Sequence, residues 1–149
     1  LARDKNPYLV RSWDERPIWA VARDFSVPKQ SVVPLVTHPE GCEYRRRMTA
    51  ALRAEGRDWR VAYTTPDIGG LQKAVSAGMG VTALTRKTLL PDMRILASRD
   101  GFPAMEPIHI GLFYKHQRLS GAGLMLVDSL IARMDQAAEP APAKASTTR

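Results

Sequence analysis

The stretch LQKAVSAGMGVTAL, residues 71–84, decides between two different folds. It contains the pattern G-x-G-x-x-A, with Gly78, Gly80 and Ala83 at the fixed positions, which is a variant of the dinucleotide-binding fingerprint. That fingerprint requires a strand before the first glycine and a helix after the last one. Here LQKAVSAG has helical character and GVTAL has strand character, so the order is reversed. The stretch therefore predicts a helix that ends at Gly78, followed by a turn directly into a sheet.

The segments around this turn alternate between strand and helix character. From residue 32 the order is strand, helix, strand, helix, strand, which predicts a parallel sheet with right-handed crossovers. The first fifteen residues are polar and broken by Pro7, and residues 101–107 form a predicted proline-bounded loop. Strands are predicted at 18–23, 32–38, 59–65, 80–85, 94–98 and 108–115, and helices within 39–56, 66–78 and 120–136. The apolar faces of these helices are Tyr44, Met48 and Leu52; Ile68, Leu71 and Val75; and Leu124, Val127, Ile131 and Met134.

Particular residues predict where these elements begin and end. Thr65 is placed to cap the second helix, with Pro66 at its first position and Asp67 in its first turn. Gly56 is placed to end the first helix. Pro34 has no N–H to donate, which indicates a sheet edge or a crossing point between two lobes.

Composition limits the classes of protein to which the chain can belong. The chain has 149 residues, 44% of them hydrophobic, which suits one ordinary domain or two small lobes of a soluble globular protein. We find no apolar run of membrane-spanning length and no export signal, and the single cysteine, Cys42, suits a reducing cytoplasm. The net charge of +7 favours an anionic partner, either nucleic acid or a small acid. The densest basic run, Arg45 to Arg47, is interpreted as a solvated helix face with at least one of the three arginines facing solvent, because three consecutive positions span most of a helical turn.

The order of motifs in residues 32–96 resembles the second lobe of the effector-binding domain of LysR-type transcriptional regulators. A PLV strand is followed by GCEYRRR opening a helix, then AEGRDW, a strand ending in Thr-Thr, a helix running into AVSAGMGVTAL, and the exit LLPDMRIL. Residues 101–134 resemble the return into the first lobe, and residues 16–23 resemble the strand before the first crossover. The resemblance implies an α/β fold like that of type II periplasmic binding proteins, with two lobes and parallel-rich sheets.

The resemblance also implies a division of the chain. Residues 1–31 would be a remnant of the first lobe, residues 32–95 the complete second lobe, residues 96–136 the return, and residues 137–149 a disordered tail. The family's winged helix-turn-helix and the opening elements of the first lobe are not visible in this sequence, so DNA binding is expected only through that missing part. An incomplete first lobe would leave sheet edges and apolar faces uncovered, which predicts self-association.

Two loops are the predicted ligand-binding elements. The segments THPEGC (37–42) and TTPD (64–67) follow strands and precede helices, where ligands bind in open α/β sheets. Unpaired N–H groups at helix N-termini favour an anion. The resemblance places an effector, often a small carboxylate, near these loops in the cleft between the lobes. The candidate ligand-binding residues are Thr37, His38, Thr64, Thr65 and Asp67.

Other chemistries find little support. His38 and Cys42 have a metal-binding spacing, but Pro39 and Gly41 between them oppose a continuous helix. There is no G-x-S-x-G elbow and no P-loop, so we expect no catalytic residue, cofactor or metal. The leading hypothesis is a cytoplasmic metabolite-sensing domain. The alternatives are a stand-alone periplasmic-type solute-binding protein with the same fold, and a small α/β enzyme that depends on Thr65 and His38.

Overall fold

A computed structural model gives the structure of residues 6–29 and 31–137. The strands are β1 (Leu9–Glu15), β2 (Ile18–Ala22), β3 (Val33–Thr37), β4 (Trp59–Thr64), β5 (Thr82–Leu84), β6 (Met93–Leu96) and β7 (Ile108–Phe113), and the helices are α1 (Glu43–Ala54), α2 (Ile68–Ser76) and α3 (Gly121–Ala137). All six predicted strands and three predicted helices are present. The sequence did not predict the strand β1. This strand is exposed over most of its length, and its polar residues mask the apolar pattern by which strands are recognised.

The described chain divides into two compact units. The larger unit is formed by Arg16–Ile108, and the smaller unit by residues 6–15 and 109–137. The larger unit thus extends beyond the predicted second lobe, residues 32–95, at both ends. The reason is that β2 pairs with β5 and with β6, so a strand from before the first crossover joins the sheet of this unit.

Strand direction differs in part from the expected parallel sheet. The strands β3 and β4 are parallel, and Leu35 forms a parallel bridge with Val81. In contrast, β2 is antiparallel to both neighbours in the order β5-β2-β6. The alternation of side chains along a strand is the same in both arrangements, so the sequence pattern did not reveal the direction.

The predicted apolar helix faces mostly form the core of the larger unit. Met48 and Leu52 of α1 are buried against the sheet, as are Leu71 and Val75 of α2. Ile68, predicted on the same face of α2, is instead 45% exposed. Ile68 is the first residue of its helix, and a residue there can lie beyond the packed surface. The core of this unit forms two clusters, one centred on α1 and one on α2.

The glycine turn has the predicted reversed order of helix and then strand. Gly78, with a φ of +76°, follows the end of α2, and a Cβ at Gly80 would lie 2.3 Å from the carbonyl oxygen of Pro34. That oxygen accepts from the Val81 amide at 2.8 Å, while the Val36 amide donates to the carbonyl of Val81 at 2.9 Å. The strand of Pro34 therefore has neighbours on both sides, so the first of the two positions predicted for Pro34, a sheet edge, is wrong, and the second, a crossing point between lobes, stays a prediction.

The loop 101–107 is anchored in the core. Phe102 and Met105 are buried, with exposures of 1% and 8%. The ring of Trp19 packs edge-on against Phe102 at 5.1 Å, and its Nε1 donates to the carbonyl of Pro103 at 2.7 Å. The prolines of this segment predicted a loop but gave no sign that its apolar residues complete the core.

The smaller unit consists of the two-stranded sheet β1-β7 and the helix α3. Asp135 of α3 accepts from the indole Nε1 of Trp13 at 2.7 Å and from Arg11 at 2.8 Å, which attaches the helix to β1. The predicted apolar face of α3 is only partly buried. The predicted tail begins within this helix at residue 137, and its remaining residues lie outside the described part of the chain. Within the described part, no helix is long and apolar enough to cross a membrane.

Candidate functional site

The two predicted loops lie side by side. The strands β3 and β4 run parallel, and Thr37 and Thr64, their last residues, are partners in the register. The amide of Thr65 also donates to the carbonyl of Thr37 at 3.1 Å, which continues the pairing beyond the strands. Since both loops leave from the carboxyl ends of neighbouring strands, residues 37–42 and 64–67 share one end of the sheet.

His38 links the two loops. Its Nδ1 lies 3.0 Å from the carbonyl oxygen of Thr65. A carbonyl can only accept, so Nδ1 carries the hydrogen in this bond. In the neutral ring Nε2 is then an acceptor, and in the protonated ring it becomes a second donor. The side chain is therefore fixed in orientation and in tautomer.

The three threonines of the site have different environments. Thr37 is 1% exposed, and its hydroxyl donates to the carbonyl of His38 at 3.1 Å. Thr65 is 8% exposed, and its hydroxyl oxygen accepts from the Asp67 amide at 3.2 Å. Thr64 is exposed. The hydroxyls of Thr37 and Thr65 thus each stabilise their own loop, and Thr64 is the most accessible of the three.

The cap of α2 is Asp67, and the prediction that Thr65 caps this helix is wrong. Asp67 Oδ2 accepts from the amide of Gly70 at 2.5 Å, so the helix begins at Ile68 and Pro66 lies outside it. The reason is that Thr65 instead closes a short turn onto the Asp67 amide, which leaves the carboxylate of Asp67 to satisfy the helix. A negative charge therefore already occupies the N-terminus of α2.

The N-terminus of α1 has the opposite character. Its cap residue is Cys42, and no side chain caps the helix there. Arg45 is only 19% exposed on its side chain, and its Nη1 lies 3.5 Å from the carbonyl of His38, at the limit of a hydrogen bond. Its Nη2 contacts Glu40 at 3.3 Å. Arg45 thus brings a partly buried cation beside the loop 37–42, so the interpretation of the arginine run as a solvated face does not hold for this residue.

The next two arginines interact with Glu43. Arg46 is exposed, as expected for at least one of the three arginines, and contacts Glu43 at 2.6 Å, while Arg47 contacts the same carboxylate at 2.8 Å. The hydrogen bond from Arg46 is the largest cause that lowers the pKa of Glu43 from its ordinary value, and the charges of both arginines act in the same direction. The carboxylate of Glu43 is therefore neutralised by its neighbours on the helix.

Two open cavities lie away from the predicted loops. One, of about 420 Å³, lies between α1 and residues 103–106 in the larger unit, and is bordered by Arg46 and Arg47. The other, of about 700 Å³, lies in the smaller unit between Tyr8 and Tyr114 and is bordered by Lys115. None of the five candidate residues lines either cavity. Within residues 6–29 and 31–137, no group of three or more His, Cys, Asp or Glu side chains could hold a metal ion.

Comparison with known proteins gives consistent matches. The family model described as the LysR substrate binding domain matches residues 8–135. Over 88 residues, or 59% of this chain, the sequence is 26% identical to the HTH-type transcriptional regulator PecT of Dickeya dadantii (strain 3937), of which the match covers 28%. The chain thus spans less than a third of this relative.

Solved structures show the same fold at low identity. The CcmR regulatory domain of Synechocystis PCC6803 in complex with 2-PG has a TM-score of 0.57 and 18% identity, with 89% of this chain and 71% of that chain covered. The regulatory domain of a HypT mutant from Salmonella typhimurium has a TM-score of 0.58 and 13% identity, with 81% and 74% covered. Both likenesses concern the backbone arrangement, since most side chains differ.

Proposed function

Because this chain belongs to the family of LysR substrate-binding domains, we propose that it is the effector-sensing domain of a LysR-type transcriptional regulator. Its fold is the α/β fold of type II periplasmic binding proteins. The domain binds a small metabolite without converting it, and DNA is bound by a winged helix-turn-helix elsewhere in the regulator. The relatives reported above are regulators, which favours this function over a stand-alone solute-binding protein.

The observation that carries the proposal is the junction of the two loops. His38 and Thr65 join the ends of two parallel strands, where open α/β sheets bind ligands. In this proposal Thr64 and His38 contact the effector, whereas Thr37 and Thr65 keep the loops in register. Asp67 borders the site as the cap of α2.

An anionic effector is favoured on the α1 side of the site. Arg45 is partly buried beside the loop 37–42, and α1 has no side-chain cap. A carboxylate or phosphate there would gain from both the cation and the helix dipole. The carboxylate of Asp67 would repel the same group at the start of α2, so the effector's charge lies toward α1. The CcmR regulatory domain, which shares the fold, was solved in complex with 2-PG.

Calorimetric titration of the chain with a panel of small carboxylates and phosphorylated acids, 2-PG included, tests this proposal. We expect at least one compound to bind, and expect both Thr64→Val and Arg45→Gln to weaken its binding about tenfold. Thr49→Val on α1 makes the same change at a threonine outside the loops and should leave binding unaltered. Binding that survives both site variants would place the effector elsewhere.

We also propose that the chain self-associates, in the cytoplasm, through its smaller unit. Met125 and Leu126 of α3 are 72% and 71% exposed, and Leu130 is 43% exposed. These residues form an apolar patch, which soluble monomers rarely leave open. Sedimentation velocity should show species larger than the monomer, and Leu126→Glu should shift the population toward the monomer. A monomer at all concentrations would contradict this part of the proposal.

A further inference from the structure

Arg47 bridges two parts of the larger unit. Its side chain is 14% exposed, compared with 66% for Arg46 one residue earlier. Nη1 donates to Glu43 at 2.8 Å, while Nε and Nη2 donate to the carbonyl oxygen of Pro107 at 3.1 Å and 2.9 Å. Because the guanidinium is planar and its donors are fixed in direction, one rigid group holds both partners.

Glu43 lies next to a proposed ligand loop, and Pro107 lies at the end of the larger unit. Glu43 is the first residue of α1 and directly follows the loop 37–42. The carbonyl of Pro107 belongs to the peptide plane that it shares with the amide of Ile108, the last residue of the larger unit. Arg47 therefore connects the start of α1 with the peptide through which the chain leaves this unit.

We propose that Arg47 is a positioning residue that couples the first turn of α1 to the Pro107–Ile108 peptide. When the first turn of α1 moves relative to the rest of the helix, the Glu43 carboxylate turns the guanidinium, and the guanidinium turns the Pro107–Ile108 peptide. The inference rests on the proposed function, in which the loop before α1 contacts the effector. It adds a way for effector binding at that loop to affect the peptide at which the chain leaves the larger unit. Lysine replaces this arginine only in part, since its single ammonium group has no fixed fork of donors.

Amide-resolved hydrogen exchange of the whole chain without effector tests the coupling. We expect Arg47→Met to speed exchange of the Ile108 amide about tenfold or more, because two charge-assisted hydrogen bonds to its peptide are lost. Glu43→Ala, which does not touch Pro107, should speed the same amide about threefold, as one charge-assisted partner of the guanidinium is lost. In the Arg47→Met background, Glu43→Ala should have no further effect there. The exchange rate of the Ile108 amide in Arg47→Lys should fall between the rates in wild type and in Arg47→Met. If Arg47→Met does not fold, Arg47→Lys takes its place in the comparison of single and double variants.

The control is Arg46→Met, which removes the other arginine bound to Glu43 and should leave the Ile108 amide unchanged. The Val75 amide, in α2, reports global unfolding. Additive effects of the two substitutions at Ile108, or equal acceleration at Ile108 and Val75, would overturn the coupling. Since no effector is added, these outcomes are independent of whether the chain binds one. Failure of the titration alone would overturn the proposed function and leave the measured coupling in place.

Discussion

The imidazole Nδ1 of His38 lies 3.0 Å from the carbonyl oxygen of Thr65, a residue 27 positions later in the chain. This bond ties the loop after β3 to the loop after β4 and fixes which ring nitrogen carries hydrogen. Each loop thereby limits the freedom of the other. The stability of this end of the sheet and its proposed ability to bind an effector consequently depend on the same side chain.

We expect His38→Leu to lower the free energy of unfolding by about 1 kcal/mol, because the buried carbonyl of Thr65 loses its side-chain partner. His38→Asn should lose less, since the asparagine amide can donate in place of Nδ1. Urea denaturation of both variants measures the difference. Equal losses in the two variants would indicate that the hydrogen bond does not contribute.

Removal of the Asp67 cap should destabilise α2. We expect Asp67→Ala to cost about 1 kcal/mol, while Asp67→Ser and Asp67→Asn keep a capping oxygen and should remain near wild type. Thermal unfolding followed by circular dichroism provides the comparison. Asp67→Asn also removes the negative charge, so it should bind an anionic effector more tightly than the wild-type chain does. Weaker binding by Asp67→Asn would show that the carboxylate contacts the effector favourably.

A side chain at Gly80 should not be tolerated. Its Cβ would lie 2.3 Å from the backbone oxygen of Pro34, so the two segments would have to separate. We expect Gly80→Ala to cost about 3 kcal/mol, at the upper end for overpacking. Gly121→Ala is the matched control, because a Cβ there has no heavy atom within 4 Å. It should change the free energy of unfolding by less than about 1 kcal/mol, and a similar loss in both variants would contradict the clash.

Acid should loosen the attachment of α3. The hydrogen bond from Trp13 is the largest cause that lowers the pKa of Asp135 from its ordinary value of 3.8, and Arg11 adds to it. A lowered pKa in the folded state means that the carboxylate stabilises the fold above pH 3.8 and that this contribution is lost as the pH falls through the folded pKa. Asp135→Asn should therefore be less stable than wild type at neutral pH.

The difference between Asp135→Asn and wild type should shrink as the pH falls below 3.8. Urea midpoints measured by tryptophan fluorescence over this range test the prediction, with Asp128→Asn as the exposed control on the same helix. A difference that stays constant down to the lowest pH would mean that ionisation of Asp135 does not contribute.

Much of the architecture followed from local patterns. The reversed order around Gly78 and Gly80 excluded a dinucleotide site, and the periodicity of Met48 and Leu52 identified the buried face of α1. The loops 37–42 and 64–67 were identifiable because each stands between a strand and a helix. The candidate residues in those loops do share one end of the sheet, and their role in binding an effector stays a prediction.

Two features that the sequence did not predict depend on which of several possible contacts form in the folded chain. Asp67 rather than Thr65 caps α2, because the Thr65 hydroxyl accepts from the Asp67 amide and the Asp67 carboxylate accepts from the Gly70 amide, and spacing alone did not rank the two residues. Phe102 is a core residue because the ring of Trp19 packs against it and the Trp19 indole donates to the same loop. Trp19 lies 83 positions earlier in the chain, so local sequence around Phe102 does not show this contact.

The sequence by itself determined the types of the strands and helices from β2 to α3, the helix stops and the family, since these depend on side-chain periodicity, backbone conformation and the order of motifs along the chain. Only the tertiary structure decided that β2 runs antiparallel between β5 and β6, and that Arg47 donates to a carbonyl 60 residues away. Strand direction leaves no trace in side-chain alternation, and a long-range hydrogen bond depends on where the backbone places its acceptor.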